Sequence, residues 1–473
     1  MKVLLMEKLQ RQKQAKIRAN NKMLFIYTIG YFIGFLFYHY GFNMIASGVI
    51  ISLAIFLYYL EYRKKKRIIN VNGLFALGFI GGFGLSLLKL SKLSSEYNII
   101  TFIAVYISYF ALYLGDFVST KKKKIISIDV SDVEKKENEL YDDRKAERLI
   151  VILIVVTLIS FLIEVMILKF VPLFTINTPH AYSTFHVFML HYITTFYVFI
   201  PSFAVCNFFM AHDKKRAIIF IIISYVYIVI MALLLVSRAQ LITGVVLSIF
   251  VVIICSADSK IILSELFKKN KKASVFLVIS VVLFIILYIV ITINRAHDVK
   301  YLNGIFEMKN ENLPIFIAQP YMYIAHNFEN LNYMINTIFR FTCGRRILIP
   351  FFTLAFIKKF FPIVVDSPTY VIKEELSTKT LIYDFYYDFG LCGIIFFMFI
   401  IGFVGNMIEE KTYEVINGFK KNNYIVVLFS LFCYYMIFSF FQTYFSLTDT
   451  WVNLIIVTAI IMLWDCKKVE QVV

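Results

Sequence analysis

Residues Ile347 to Val365 read ILIPFFTLAFIKKFFPIVV. The run is apolar and close to the length of about 20 residues that crosses a bilayer. Counted as a span, it would invert every segment that follows. Lys358 and Lys359 sit in its middle, and two ammonium groups at a bilayer centre are costly. We therefore read it as a re-entrant or interfacial helix, packed over a site on the outer side. It lies within a long interval, Asn294 to Tyr386, that separates one apolar block from the next.

Working outward from that interval, the pattern predicts an all-α polytopic membrane protein. Twelve apolar runs are long enough to span, at 23–41, 44–60, 73–89, 98–118, 149–168, 186–210, 217–235, 241–256, 274–293, 388–406, 423–441 and 449–465. Both termini and the connections 61–72, 119–148, 211–216, 257–273 and 407–422 then share one side. Together they carry 34 of the 48 Lys and Arg residues. That bias marks the cytoplasmic face. An error of one span would scatter the basic loops over both sides, which fixes the parity. The chain forms one integral membrane domain, residues 1–473. Its most polar cytoplasmic loop is 119–148, and 294–387 is a single large outward loop.

Composition supports this class. The chain is 60% hydrophobic and 18% aromatic, with mean hydropathy +0.76, far beyond a soluble domain. The net charge of +17 is explained by orientation and not by a nucleic-acid partner. The first 22 residues are polar and basic, so no cleavable signal peptide is expected. Six cysteines form no framework: only Cys343 faces outward, and no extracellular disulfide is expected.

The outward side collects Arg238, Arg295, Arg340, Arg345 and Arg346. A planar guanidinium matches phosphate oxygens two at a time, so fixed outward arginines suit a pyrophosphate. Ser237-Arg238 closes a tight turn between two spans, where an arginine can also snorkel to headgroups. Pro172-Leu173-Phe174 opens the first outward loop, which continues to His180. Glu164 lies in the outer part of the preceding span, a site candidate by default. His186 and His191 begin the next span. Their spacing, read as helix, places them on different faces and argues against a two-histidine metal site. Tyr383-Asp384-Phe385-Tyr386-Tyr387-Asp388-Phe389-Gly390 carries the large loop back into the membrane. As pure structure this is an aromatic belt, with Asp388 capping the span that follows and Gly390 and Gly393 allowing close packing. As a site it is a platform for sugars, with stacked tyrosines and carboxylates for hydroxyls. Nucleotide, metalloprotease and nucleophile-elbow signatures are missing from the sequence, and Asp388-Phe389-Gly390 lacks every companion of a kinase motif.

These residues resemble a known family, the bacterial Wzy-type O-antigen and capsule repeat-unit polymerases. The resemblance rests on Pro172-Leu173-Phe174, on Ser237-Arg238, and most specifically on Tyr386-x-Asp388-Phe389-Gly390-x-x-Gly393, with the twelve-span layout behind them. Where such proteins often have an Asn-Thr-rich stretch before the last motif, this chain has Ser377-Thr378-Lys379-Thr380. The resemblance implies a multi-pass glycosyltransferase of the bacterial cytoplasmic membrane. Its donor is a growing glycan on undecaprenyl pyrophosphate, and its acceptor is one repeat unit on the same lipid. A flippase and a chain-length regulator of the same pathway are the implied partners. Arg238 would stabilise the leaving pyrophosphate, with Arg340 or Arg345 assisting. Asp388, Asp384, Glu164 and His180 are the base candidates, in that order. Arg346, Arg295, Tyr383 and Tyr387 would join His180, Glu164 and Asp384 in holding substrate. No cofactor is implied, and no metal is needed where arginines supply the charge. A glycan ligase and a lipid-linked oligosaccharide flippase are the alternatives.

Overall fold

A computed structural model describes residues 22–126, 140–175, 184–256, 299–356, 369–416, 424–464 and 467–468. His180 and Arg295 lie outside the described residues, as do the expected span 274–293 and Lys358-Lys359. In chain order the principal helices are α1 (Lys22–His39), α2 (Asn43–Lys65), α3 (Val71–Ser86, with a π turn at Ala76–Ile80) and α4 (Ile99–Ile126). They continue with α5 (Asp143–Leu168), α6 (Leu190–Met210), α7 (Lys214–Leu234) and α8 (Arg238–Ser256). Next come α9 (Val299–Phe306), α10 (Ile315–Thr337) and α11 (Arg345–Leu354). The last are α12 (Tyr383–Ile416), α13 (Ile425–Ile437) and α14 (Thr448–Leu463). Among the described residues a two-residue antiparallel ladder pairs Leu140–Tyr141 with Lys467–Lys468.

Eight of these helices, α1, α2, α4, α5, α6, α7, α8 and α12, are long and apolar enough to cross a membrane; α3, α13 and α14 are shorter apolar helices. The helices of a soluble protein turn their apolar stripes inward. Here α5 leaves Val151, Val155, Ile159, Leu162 and Met166 exposed, and α7 leaves Ile219, Ile222 and Val226 exposed. Continuous apolar faces of this size are unfavourable in water and natural in lipid. Of the expected helix at 347–365, the first part falls in the ten-residue α11, which ends at Leu354, and 357–365 lie outside the described residues. At 1.5 Å per residue α11 is about 15 Å long, half a bilayer core.

The chain divides into two compact units. The first comprises residues 1–128, 302–407 and 435–448; the second comprises 129–301, 408–434 and 449–473. Within the first, α4 crosses α12 at two glycines. A Cβ on Gly115 would lie 2.1 Å from the Phe399 carbonyl oxygen, and one on Gly402 would lie 1.9 Å from that of Leu112. Only bare Cα atoms permit that backbone approach. The basic run at 63–67 also folds inward in part. Lys65 Nζ lies 2.9 Å from Asp116 and Lys64 Nζ 3.1 Å from Glu61.

The described residues of the long interval from 302 onward, 302–356 and 369–387, belong to the first unit. Helix α10 buries His326, Asn327, Glu329, Asn330 and Asn332; Asn327 donates to the Tyr323 carbonyl of its own helix at 2.6 Å, and the other four find partners on the segments beside it. Glu329 receives Lys89 Nζ at 2.6 Å and the Ser95 amide at 3.0 Å. Asn332 accepts from the Asn98 amide at 2.9 Å and from Thr101 Oγ1 at 2.7 Å. Asn330 donates to the carbonyls of Leu376 (2.7 Å) and Thr378 (2.8 Å) and accepts from the Ile372 amide at 2.9 Å. A buried polar group without a partner costs about 1–3 kcal/mol. These bonds therefore fix 89–101 and 372–380 onto α10, including the Ser377–Thr380 stretch that leads into α12.

Candidate functional site

The first unit brings together two pieces of sequence some forty residues apart. The turn after α10 contains two successive positive-φ residues, Cys343 (φ 50°) and Gly344 (φ 92°). It lies along the start of α12. The Thr342 amide donates to the Tyr387 carbonyl at 3.2 Å, and the Cys343 amide donates to the Asp388 carbonyl at 3.0 Å. The Asp388 side chain completes the joint. Its Oδ1 accepts from Thr342 Oγ1 and from the Arg346 amide at 3.2 Å, and its Oδ2 accepts from the Ile347 amide at 2.9 Å. A carboxylate over the first-turn amides of a helix both caps it and complements its dipole. Asp388 was expected to cap the span that follows it; it caps α11 instead. The reason is Gly390, whose φ of 63° and ψ of −149° interrupt α12. Helical turns therefore begin at Tyr383, and Asp388 lies inside the first segment. A Cβ at Gly390 would also come within 2.9 Å of Phe341 Cζ, so glycine is required there twice over.

Arg346 occupies the centre of this joint. It is 8% exposed. Its Nη1 donates to Asp384 Oδ1 at 3.1 Å, and its guanidinium carbon stands 3.9 Å from the Tyr387 ring centroid. Tyr370 stacks on Tyr387 at 5.8 Å, and Tyr383 donates to the Tyr370 carbonyl at 2.8 Å. Lys379 Nζ lies 4.9 Å from the Tyr383 ring centroid. Burial pushes the Lys379 pKa below the ordinary lysine value, opposed by nearby Asp384 and reinforced by Arg346. The sequence reading had not singled out Lys379. It was also silent on Tyr370 and Thr342, because a lone residue in a loop carries no periodic signal.

The structure thus joins Arg346, Asp384, Asp388, Tyr383 and Tyr387. Arg345 and Arg340 are exposed, Arg345 on the first turn of α11 beside Arg346. Chemically, the joint offers a guanidinium of fixed orientation, flanked by aromatic faces and a partly buried lysine. Such a group recognises an anion or a sugar face without reorganising. Asp388 is already committed through both oxygens.

The second unit contains the other candidates. Arg238 opens α8 and is 8% exposed, after a turn in which Val236 adopts φ 52°. Gln240, two residues on, accepts from Tyr197 Oη of α6 at 2.8 Å. Glu164, near the end of α5, is fully buried. Its Oε1 accepts from the Val187 amide at 3.1 Å and lies 3.2 Å from His191 Nδ1. His186 and His191 were expected on different faces of one helix. Their ring centroids are instead 5.0 Å apart. Met189, at φ 64°, breaks the chain before Leu190, so His186 precedes the helix and the helical spacing does not apply. Among the described residues, no group of three or more His, Cys, Asp or Glu is arranged to hold a metal ion.

No family model matches the chain, and no curated protein or solved structure shows significant similarity to it, so the candidate residues stand on their geometry and chemistry.

Proposed function

We propose that the protein is a Wzy-type polymerase, a multi-pass enzyme of the bacterial cytoplasmic membrane that joins undecaprenyl-pyrophosphate-linked oligosaccharide repeat units at the outer leaflet. In this reading the chain has twelve spans with both termini cytoplasmic, and the 294–387 interval faces outward. The observation that carries the proposal is the locking of the Thr342–Arg346 segment onto Tyr386–Gly390. Within that joint Asp384 and Tyr387, beside the residues that most specifically carry the family resemblance, hold the buried Arg346 between a carboxylate and an aromatic ring, and Asp388 of the motif itself accepts the Arg346 amide.

The reaction moves a glycan from one lipid pyrophosphate to a hydroxyl of the repeat unit on another. The acceptor oxygen bonds to the donor anomeric carbon as the bond to the pyrophosphate oxygen breaks. Negative charge develops on the leaving pyrophosphate. A fixed arginine near a low-dielectric boundary stabilises that charge without rearranging, the most effective kind of electrostatic assistance. Arg238 is assigned this role, with the exposed Arg340 or Arg345 assisting. Arg346, Asp384, Tyr383 and Tyr387 hold the sugars. Asp388 shapes the site by capping α11. A flippase supplies the acceptor, and a chain-length regulator acts on the product.

The test is the glycan profile of cells lacking the protein, resolved on a gel as lipid-linked and surface fractions. Loss of the ladder with retention of single repeats supports polymerisation. A ladder intact on the lipid but missing from its final acceptor means a ligase, and repeats trapped on the cytoplasmic side mean a flippase. An unchanged profile removes the glycan reading altogether.

A further inference from the structure

The polymerisation reading needs a proton acceptor for the attacking hydroxyl, and the carboxylates of the first unit are poorly suited. Asp388 accepts three hydrogen bonds through its two oxygens. Asp384 is already engaged by the Arg346 guanidinium at 3.1 Å.

The second unit holds a different arrangement. Four titratable groups meet at one end of it: Glu164 near the end of α5, His186 before α6, His191 on the first turn of α6, and Asp449 on the first turn of α14. Asp449 is close enough to both histidines to act on their charge, and so is Glu164 on that of His186. Arg238 belongs to the same end, since Tyr197 of α6 bonds Gln240 of α8 at 2.8 Å. Within this group Glu164 and His191 form a defined pair. Glu164 Oε1 lies 3.2 Å from His191 Nδ1 and also accepts the Val187 amide at 3.1 Å. Its other oxygen, Oε2, is buried with no hydrogen-bond partner among the described residues. The carboxylate is fully buried, while the imidazole is 22% exposed.

A carboxylate accepting from Nδ1 fixes the tautomer, so Nε2 becomes the basic nitrogen of a partly exposed ring. It also stabilises the imidazolium that forms when that nitrogen takes a proton. This is the division of labour between an acid that orients and a histidine that transfers protons. The structural alternative is a satisfied interfacial histidine. The second Glu164 oxygen argues against it, because a purely structural bond would not leave half of a buried carboxylate unpaired.

We propose that His191 is the general base of the polymerisation and that Glu164 is its positioning residue, an inference that rests on the function proposed above. As the acceptor oxygen bonds to the anomeric carbon, its proton passes to His191 Nε2 and the pyrophosphate oxygen departs with the electron pair of the broken bond. The proton then leaves to water, restoring the neutral imidazole.

The experiment uses the full chain in lipid nanodiscs, supplied with lipid-linked repeat units extracted from cells lacking the protein. Polymer formation is followed by gel from about pH 5 to pH 9. The wild-type rate is expected to fall towards the acid end of that range. His191→Gln keeps a donor towards Glu164 and is expected to lower the rate by about 10²–10⁴-fold and to abolish the acid limb. Glu164→Gln is expected to move the acid limb while retaining part of the rate. If wild-type protein makes no polymer, the polymerase reading and this inference fall together. If wild-type protein polymerises and His191→Gln keeps its rate and acid limb, the inference alone is overturned. Should His191→Gln not fold, Glu164→Gln decides: an acid limb unmoved by loss of the carboxylate overturns the proposal.

Discussion

Replacing Asp388 by asparagine tests the joint on which the first-unit site is built. Three donors converge on this carboxylate: Thr342 Oγ1, the Arg346 amide at 3.2 Å and the Ile347 amide at 2.9 Å. Asparagine keeps one acceptor oxygen, which can serve Thr342 and Arg346. Its amino group then faces the Ile347 amide, donor against donor. One hydrogen bond to a charged group is lost, worth about 1.5–3 kcal/mol. The attraction of a full negative charge to the α11 N-terminus goes with it, about 0.3–1 kcal/mol. The sum is about 2–4 kcal/mol, which at about 1.36 kcal/mol per tenfold corresponds to roughly 30- to 900-fold in an opening equilibrium. Hydrogen–deuterium exchange of the purified protein in nanodiscs reads that equilibrium directly. Amides 342–347 should lose protection by this factor, while peptides of α4 remain unchanged as an internal control. Protection at 342–347 altered by less than about threefold would refute the claim that Asp388 holds α11 in place.

Three further outcomes are expected. Arg238→Ala should abolish polymer while leaving folded protein in the membrane, and retained polymer would remove Arg238 from the leaving-group role. His326 is buried and neutral, bonded to Met322 O and Thr378 Oγ1, and burial lowers its pKa to about 4. The unfolded chain binds a proton near its ordinary pKa of about 6.5, so this contribution to stability is complete above that pH and is lost as pH falls through about 4, amounting to about 3 kcal/mol; His326→Gln should flatten the fall in melting temperature over that window. Gly402→Val would place a branched side chain where a Cβ already meets the Leu112 carbonyl oxygen at 1.9 Å, forcing α4 and α12 apart; the melting temperature in detergent should drop by several degrees, whereas Gly48→Val, where a Cβ meets nothing within 4 Å, should leave it nearly unchanged.

The apolar runs are a one-dimensional signal. Bilayer-scale hydropathy is a sum over neighbours in sequence, and it fixes the existence of a span whatever surrounds it. For that reason eight of the twelve expected spans fall on helices long and apolar enough to cross a membrane, and three fall on the shorter apolar helices α3, α13 and α14, while the remaining one falls outside the described residues. Hydropathy also singled out the Tyr383–Gly390 segment, since aromatic and acidic residues at a span boundary stand out locally.

The sequence by itself determined the helical membrane class and supplied the parts of the site. Tertiary structure decided how those parts are used. Helix α10 was missed because His326-Asn327-Phe328-Glu329-Asn330-Leu331-Asn332 reads as a polar loop; the partners of Glu329, Asn330 and Asn332 are residues 89–101 and 372–380, far away in the chain. Arg345 and Arg346 are indistinguishable in sequence, yet the turn at Cys343–Gly344 exposes one and buries the other against Asp384 and Tyr387. Asp388 caps α11 and not its own helix, and His186 meets His191, because single positive-φ residues, Gly390 and Met189, redirect the backbone. A side chain's partner depends on where the backbone turns, and a turn is set by the packing of the whole unit rather than by the residues that flank it.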